Sequence, residues 1–190
     1  MNKKTLIISI VLTVLLAGLI VVYFLIIKPS AVNNGEIGKD VMENEFFSVK
    51  LLNEWIQVQP ISGAYAMAIK DKEQINDAVA KELGFASYYS VVKDTYIEKS
   101  VQDYLNKIKT SLEQNFTGII LSDKESHKTE NGEIYFIESE FNHQNINLKS
   151  LLAINIKNEN VWIVSFNTLQ EKWQEYENLF YEIADSFKIK

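Results

Sequence analysis

The first pattern along the chain is an unbroken apolar run from Thr5 to Ile27, preceded by Lys3 and Lys4 and followed by Lys28. As a helix, these 23 residues would rise about 34 Å, which exceeds the roughly 30 Å thickness of a hydrocarbon core. The run therefore predicts one transmembrane helix over residues 5–27, in contact with membrane lipid.

A cleaved signal peptide is the alternative to this anchor. Signal peptides have apolar cores of about 7–15 residues that end at a small-x-small site. The run here is longer, and the nearest such site, Pro29-Ser30-Ala31, begins with proline. A lipoprotein signal is excluded because lipid attachment needs a cysteine and the chain has none. We therefore favour an uncleaved signal anchor.

The flanking charges set the expected orientation. More positive charge precedes the run than follows it, which favours a cytoplasmic N-terminus. We expect a cytoplasmic segment at 1–4, a single-pass anchor at 5–27, a flexible linker at 28–44 and an extracytoplasmic domain at 45–190. The protein is then expected in the cell membrane, with its C-terminal domain outside the cytoplasm.

Within the domain, short β-branched, aromatic or alternating runs predict strands, and apolar residues at helical spacing predict helices. The predicted strands are Phe46–Leu51, Trp55–Gln59, Ala64–Lys70, Tyr88–Tyr96, Thr117–Asp123, Glu133–Asn142, Leu148–Lys157 and Asn160–Asn167. Helices are predicted at 72–84, at about 100–115 and at the C-terminus.

Capping signals set the helix ends. Gly84 is expected to stop the first helix, and Ser100 with Asp103 resembles a capping box for the second. Thr168 with Glu171 predicts a third cap before the C-terminal helix. That helix carries one apolar stripe: Leu169, Trp173, Tyr176, Phe180, Ile183 and Phe187.

The order of these elements predicts the fold class. Asn131-Gly132 is typical of a hairpin turn, and Asn158-Glu159-Asn160 predicts a second tight connection. In the strand at 133–142, apolar residues alternate between two faces, with Tyr135, Ile137 and Phe141 on one and Ile134 and Phe136 on the other. We therefore predict an α+β fold: an antiparallel β-sheet with helices on both faces, an α/β/α sandwich.

Charge excludes several classes of partner. Three of the 19 lysines precede residue 29, and the remaining 16 are outnumbered by 25 acidic residues, which gives the exposed part a net charge of −9. Nucleic acid needs a basic face, and an anionic lipid surface would repel this charge. The absence of arginine also removes the residue that binds phosphate and carboxylate in a bidentate manner.

Four segments resemble one family. The opening FFSVKLLNEWIQVQ is similar to the "F-S-hydrophobic-x-x-P-x-x-W" start of PsbP-like and DcrB-like domains, although Asn53 stands where proline is common. SVQDYLNKIKTSLEQNF resembles their central helix, and NGEIYFIESEF and VWIVSFNTLQEKWQEYENLFYEIADSFKI resemble their paired strands and final helix. The resemblance covers about residues 46–189. It implies a Mog-type α/β/α sandwich that acts as a non-catalytic binding or assembly module, with no catalytic residues. We predict no cofactor.

Residues that could carry chemistry are few. His127 and His143 match no zinc-binding spacing, so we predict no metal site, although a hairpin could bring them near Glu138 or Glu140. We expect the carboxylates of Glu138 and Glu140 to lie on a solvated strand face. No nucleophile elbow, P-loop or dinucleotide fingerprint is present.

Aromatic residues divide into core and surface candidates. Trp55, Trp162 and Trp173 are expected in the core. Four tyrosines are less well explained by periodicity and are therefore candidates for a partner-binding surface. These are Tyr65, Tyr88, Tyr89 and Tyr96.

We therefore hypothesise a membrane-anchored, extracytoplasmic, non-catalytic module that docks onto another envelope protein. The alternatives are a domain that binds a small molecule or metal between sheet and helix, and a cell-envelope hydrolase. Lack of an ordered catalytic constellation disfavours the hydrolase.

Overall fold

The computed structural model describes residues 40–61, 63–95, 100–129, 132–157 and 160–190. The predicted cytoplasmic segment, the transmembrane helix over 5–27 and the linker up to residue 39 lie outside these ranges. Within the described part, no helix is both long enough and apolar enough to cross a bilayer. The anchor therefore stays a prediction.

Strands and helices in the described ranges follow the predicted order. They are β1 (Val41–Glu43), β2 (Phe47–Lys50), β3 (Trp55–Val58), β4 (Ala64–Lys70), α1 (Ala78–Glu82), β5 (Tyr88–Thr95), α2 (Val101–Asn115), β6 (Ile120–Thr129), β7 (Gly132–His143), β8 (Ile146–Lys157), β9 (Asn160–Leu169), a 3₁₀ turn (Gln170–Lys172), α3 (Trp173–Ser186) and β10 (Lys188–Ile189).

The described strands form two antiparallel sheets. The main sheet has seven strands in the order β3-β4-β5-β9-β8-β7-β6, and the small sheet has the order β1-β2-β10. Strands β6 to β9 pair in sequence as neighbours, whereas β5 pairs with β9 and thereby brings the two halves of the chain together.

Both faces of the main sheet are apolar and covered. On one face lies the α2-face core, to which α2 contributes Tyr104, Leu105, Ile108 and Leu112. On the other face lies the α3-face core, to which α3 contributes Trp173, Tyr176, Phe180 and Ile183. In β7, Ile137 and Phe141 belong to the first core and Ile134 and Phe136 to the second, as the alternation predicts. The predicted α/β/α sandwich is confirmed.

Helix α2 begins at the predicted capping box. The Ser100 hydroxyl accepts a hydrogen bond from the Asp103 N–H at 3.1 Å and donates one to the Asp103 carboxylate at 2.8 Å. This cap satisfies one of the N–H groups that the first turn leaves unpaired.

Helix α1 is shorter than predicted. It begins after Asp77, whose carboxylate accepts from the Ala80 N–H at 2.8 Å, and ends before Gly84. Gly84 adopts a φ of 64°, and the Phe85 N–H donates to the Ala80 carbonyl at 2.8 Å. The glycine stop is therefore confirmed, although residues 72–76 are not helical.

The start of α3 corrects a prediction. Thr168 does not cap this helix, because it is the penultimate residue of β9 and its hydroxyl is hydrogen-bonded to the Ser87 hydroxyl at 2.7 Å. Leu169 packs in the α2-face core rather than on the α3 stripe. The 3₁₀ turn at Gln170–Lys172 leads into the helix without a side-chain cap. Thr168 is therefore held in β9 by burial of the strand end, and the capping pattern of Thr168 and Glu171 does not form.

Strand β1 was not predicted, and β6 extends beyond its predicted bounds. Val41–Glu43 fall in the predicted linker but pair with β2 as β1, and Met42 is buried in the α3-face core. Strand β6 continues to Thr129, six residues past the predicted end, because its polar residues pair with β7 at the edge of the sheet. The hairpin residues 130–131 and 158–159 lie outside the described ranges.

The tryptophans predicted for the core are all buried, and Trp173 gives a test of the fold. Its ring packs on Phe180 with centroids 6.0 Å apart. Removing a buried aromatic side chain costs about 3–5 kcal/mol, so Trp173→Ala should lower the melting temperature by roughly 10 °C. Thermal denaturation of the full chain in detergent measures this, with the exposed neighbour substitution Gln174→Ala as control. An unchanged melting temperature would assign Trp173 to a surface role.

Candidate functional site: an exposed aromatic patch

The structure divides the four predicted surface tyrosines. Tyr88 and Tyr89 are 1% and 0% exposed, which corrects the expectation that they lie on a binding surface. They lie on β5, an interior strand between β4 and β9, where both faces are covered. The Tyr89 hydroxyl donates to the Lys50 carbonyl at 2.8 Å. Burial raises the pKa of both phenols above the ordinary value.

Tyr65 is exposed, and Tyr96 lies outside the described residues. The Tyr65 side chain is 44% exposed. It occupies the irregularity in β4, where Ala64 pairs with Val92 and Ala66 with Val91. A bulge of this kind inserts one extra residue and re-aims its side chain, which explains why strand periodicity does not account for Tyr65.

Tyr65 belongs to a cluster that we call the aromatic patch. The patch consists of the rings of Phe46, Tyr65 and Trp162 and the ammonium group of Lys93. The ring centroids of Phe46 and Tyr65 are 5.7 Å apart and those of Tyr65 and Trp162 are 5.2 Å apart, both edge-to-face. Phe46 is 39% exposed, whereas Trp162 is 2% exposed and forms the floor. The exposed rings of Phe46 and Tyr65 thus pack on the buried ring of Trp162.

A closed turn holds Phe46 in place. The Asn44 side-chain oxygen accepts from the Phe46 N–H at 2.8 Å and from the Phe47 N–H at 3.1 Å. The Lys190 N–H donates to the Phe46 carbonyl at 2.9 Å. Phe47 points into the α3-face core, so its neighbour must point outward. Sequence reasoning did not identify Phe46 as a surface residue, although the pair Phe46-Phe47 at a strand start is a signal that could have placed it there.

Lys93 supplies the charge of the patch. Its Nζ lies 5.3 Å from the centroid of Trp162 and 5.8 Å from that of Phe46. Such cation–π contacts favour an ammonium over a ring face. Lys93 pairs with Trp162 across β5 and β9, so the sheet register fixes this contact.

A second polar centre, around Glu138, lies on the α3 face of the sheet. Glu138 is 3% exposed, so the expectation of a solvated carboxylate is wrong for this residue. Its carboxylate lies 3.1 Å from Lys124 Nζ and 3.4 Å from Lys149 Nζ, and it accepts from the Tyr181 hydroxyl at 3.1 Å. Tyr181 belongs to α3, so these contacts tie the helix to β6, β7 and β8.

Lys149 links this centre to the helix start. Burial lowers its pKa, but the hydrogen bond from Lys149 to Glu140 and the charge of Glu138 raise the pKa overall. Its Nζ also lies 4.7 Å from the centroid of Trp173. All charges of the centre are engaged within the protein, which indicates a structural role.

The structure gives the two histidines different neighbours. His127 Nε2 lies 2.8 Å from an Asp185 carboxylate oxygen, and His143 lies beside Phe116 with ring centroids 6.5 Å apart. Partial burial lowers the pKa of His143. In the ranges that the structure describes, no three His, Asp or Glu side chains are grouped as metal ligands.

An open cleft of about 500 Å³ lies beside α3. Trp55, Leu52 and Tyr176 are among its apolar lining residues, and the ion pair between Lys50 and Glu182 lies at its rim. The cleft therefore combines an aromatic wall with both signs of charge.

The fold defines the class of this protein, an α+β sandwich domain, and the domain carries an exposed aromatic patch. Residues 44–189 match the PsbP family, and the chain belongs to that family. A search of curated protein sequences finds no significant match.

Solved structures share the fold at low sequence identity. The solution structure of cyanobacterial PsbP (CyanoP) from Synechocystis sp. PCC 6803 is similar with a TM-score of 0.57 and 15% identity, over 82% of this chain and 96% of that one. LpqN, described as involved in cell envelope biogenesis of Mycobacterium tuberculosis, is similar with a TM-score of 0.54 and 10% identity, over 83% of this chain and 87% of that one.

Removal of the Glu138 carboxylate tests the structural role of its centre. Glu138→Ala leaves two lysines and the Tyr181 hydroxyl without their common acceptor, so we expect a loss of about 3 kcal/mol in unfolding free energy. Chemical denaturation of the full chain measures it. Glu140→Ala, which removes a more exposed carboxylate from the same strand, is the control and should change stability by under about 1 kcal/mol. Equal effects would contradict the assignment.

Proposed function

We propose that this PsbP-family protein is a non-catalytic module that docks onto a protein partner through the aromatic patch. The observation that carries the proposal is the contact between Phe46 and Tyr65. Of the exposed large apolar side chains in the described ranges, these two are the aromatic ones, and their rings touch. Aromatic anchors on a preformed floor are typical of interface hot spots.

We further propose that docking occurs at the outer side of a membrane. The apolar run at 5–27 and its flanking lysines support an anchor with the domain outside the cytoplasm. The fold similarity to LpqN, a protein involved in cell envelope biogenesis, is in keeping with an envelope location. The partner is then another envelope protein.

Photo-crosslinking tests the docking surface. A benzophenone amino acid placed at position 65 of the full chain, in its native cells, should give one discrete adduct. The same probe at Ile120, an exposed apolar residue on the edge strand β6, is the matched control and should not give that adduct. Phe46→Ala should abolish the adduct from position 65 and leave the melting temperature within about 2 °C, because Phe46 is largely outside the core. Identical adducts from both positions would contradict the proposal.

Protease accessibility tests the topology. Protease added to intact cells or wall-free protoplasts should digest residues 45–190 and leave the segment at 5–27 in the membrane. A domain that remains protected until lysis would place it on the cytoplasmic side, against the charge asymmetry.

The cleft beside α3 supports a second candidate function, the binding of a small molecule. Its volume of about 500 Å³ falls within the range of ligand pockets. Native mass spectrometry of the full chain released from detergent would show a bound mass that Trp55→Ala removes. If preparations from native membranes show no bound mass, the small-molecule function is contradicted and docking is retained as the proposed function.

A further inference from the structure

Lys93 differs from three other partly buried lysines of the domain. Lys50, Lys70 and Lys149 each lie within ion-pair distance of a carboxylate. Across the part of the chain that the structure describes, no carboxylate lies that close to Lys93 Nζ, whose recorded contacts are the rings of Phe46 and Trp162. Lys93 is therefore a partly buried lysine whose ammonium has no counter-ion in the described ranges, although acidic residues outnumber lysines in the chain.

The position of this ammonium favours an incoming anion. Ring faces attract a cation but accept none of its three N–H hydrogen bonds in the way an oxygen does. Lys93 is partly exposed, so these donors are accessible at the patch. A charge-assisted hydrogen bond from a partner can therefore form without displacing an internal ion pair.

We propose that Lys93 binds a carboxylate of the protein partner, an aspartate or glutamate flanked by an apolar residue that packs on Phe46 and Tyr65. This inference rests on the proposed docking function and names the chemistry of the docked segment. The single ammonium can form an ion pair with one carboxylate, and the exposed rings can pack against an apolar residue next to that carboxylate in the partner. A phosphate surface fits less well, because the chain after residue 28 has a net charge of −9 and the chain has no arginine.

Two isosteric peptides test the charge preference. The probes are acetyl-Phe-Asp-Phe-amide and acetyl-Phe-Asn-Phe-amide, titrated into the full chain in detergent. The readout is the indole N–H resonance of Trp162, assigned by its loss in Trp162→Phe. We expect the Asp peptide to bind about fivefold more tightly than the Asn peptide, which is the scale of a partly exposed charge pair.

Variants of Lys93 assign the preference to its ammonium. Lys93→Met keeps the aliphatic stem and should reduce binding of the Asp peptide to the level of the Asn peptide, whereas Lys93→Arg should keep the preference. Lys157→Met is the matched control and should behave as the wild type. Lys157 is an exposed lysine on β8, which β9 separates from β5, and it makes no ion pair in the described ranges. The peptide comparison on the unaltered protein stands even if a variant fails to fold.

The outcomes separate this inference from the docking proposal. Equal binding of both peptides to the patch overturns the carboxylate assignment and leaves docking intact. No shift with either peptide also overturns it, and crosslinking from position 65 then decides docking independently. If glycerol phosphate shifts the Trp162 resonance more strongly than the Asp peptide does, the carboxylate proposal is overturned in favour of a phosphate ligand such as a lipid headgroup. A preference that persists in Lys93→Met assigns it to another residue.

Discussion

The structure depends on the burial of the main sheet on both faces. Strand β9 lies at its centre, and every residue from Val161 to Leu169 is buried. A strand with no exposed face needs a covering layer on each side, because each face alone would leave an apolar surface in water. The positions of α2 and α3 follow from this requirement. Pairing of β5 with β9 then places Lys93 beside Trp162, so the patch is a consequence of the register of the core strands.

Two-sided burial also explains the polar residues in the sheet. The Ser150 hydroxyl donates to the Asn167 side-chain oxygen at 2.7 Å, and the Asn167 amide donates to the Ser165 hydroxyl at 3.1 Å. These side chains lie on neighbouring central strands and satisfy one another where water is excluded. Glu138 follows the same rule with lysines and a tyrosine as partners. These paired polar residues are therefore part of the packing of the sheet.

The periodic spacing of apolar residues predicted the strands and helices whose burial follows a regular local pattern. Alternation in β7 gave both faces of the sheet, and the Ser100 cap with the apolar stripe of α2 gave that helix to within a residue. The failures share a cause. Tyr88, Tyr89 and Glu138 have side chains that are normally found at surfaces, and only the pairing of distant strands buries them. Thr168 carried a valid local capping signal, but its strand continues because β8 pairs with it. The spacing of residues within one segment does not predict which distant strands will pair.

The candidate site was predicted only in part for a related reason. Tyr65 was found because it breaks the alternation of its strand, and the structure shows that a bulge causes the break. Phe46 was assigned to a strand, where alternation with Phe47 could have placed it outward. Lys93 gave no signal, because its role depends on a ring that lies 69 residues away in sequence and opposite to it in the sheet.

Trp162 connects the patch to the interior. Its ring contacts Tyr65 and Phe46 on the outer side, and Phe47 and Phe187 on the inner side, with centroid distances of 5.3 Å and 6.0 Å to the latter two. Phe187 directly follows α3, so the floor of the patch is fixed by the same packing that holds the helix on the sheet. A surface built on such a floor loses little conformational entropy when a partner binds. Packing of the core thus fixes the positions of the two exposed rings and the ammonium that form the proposed docking surface.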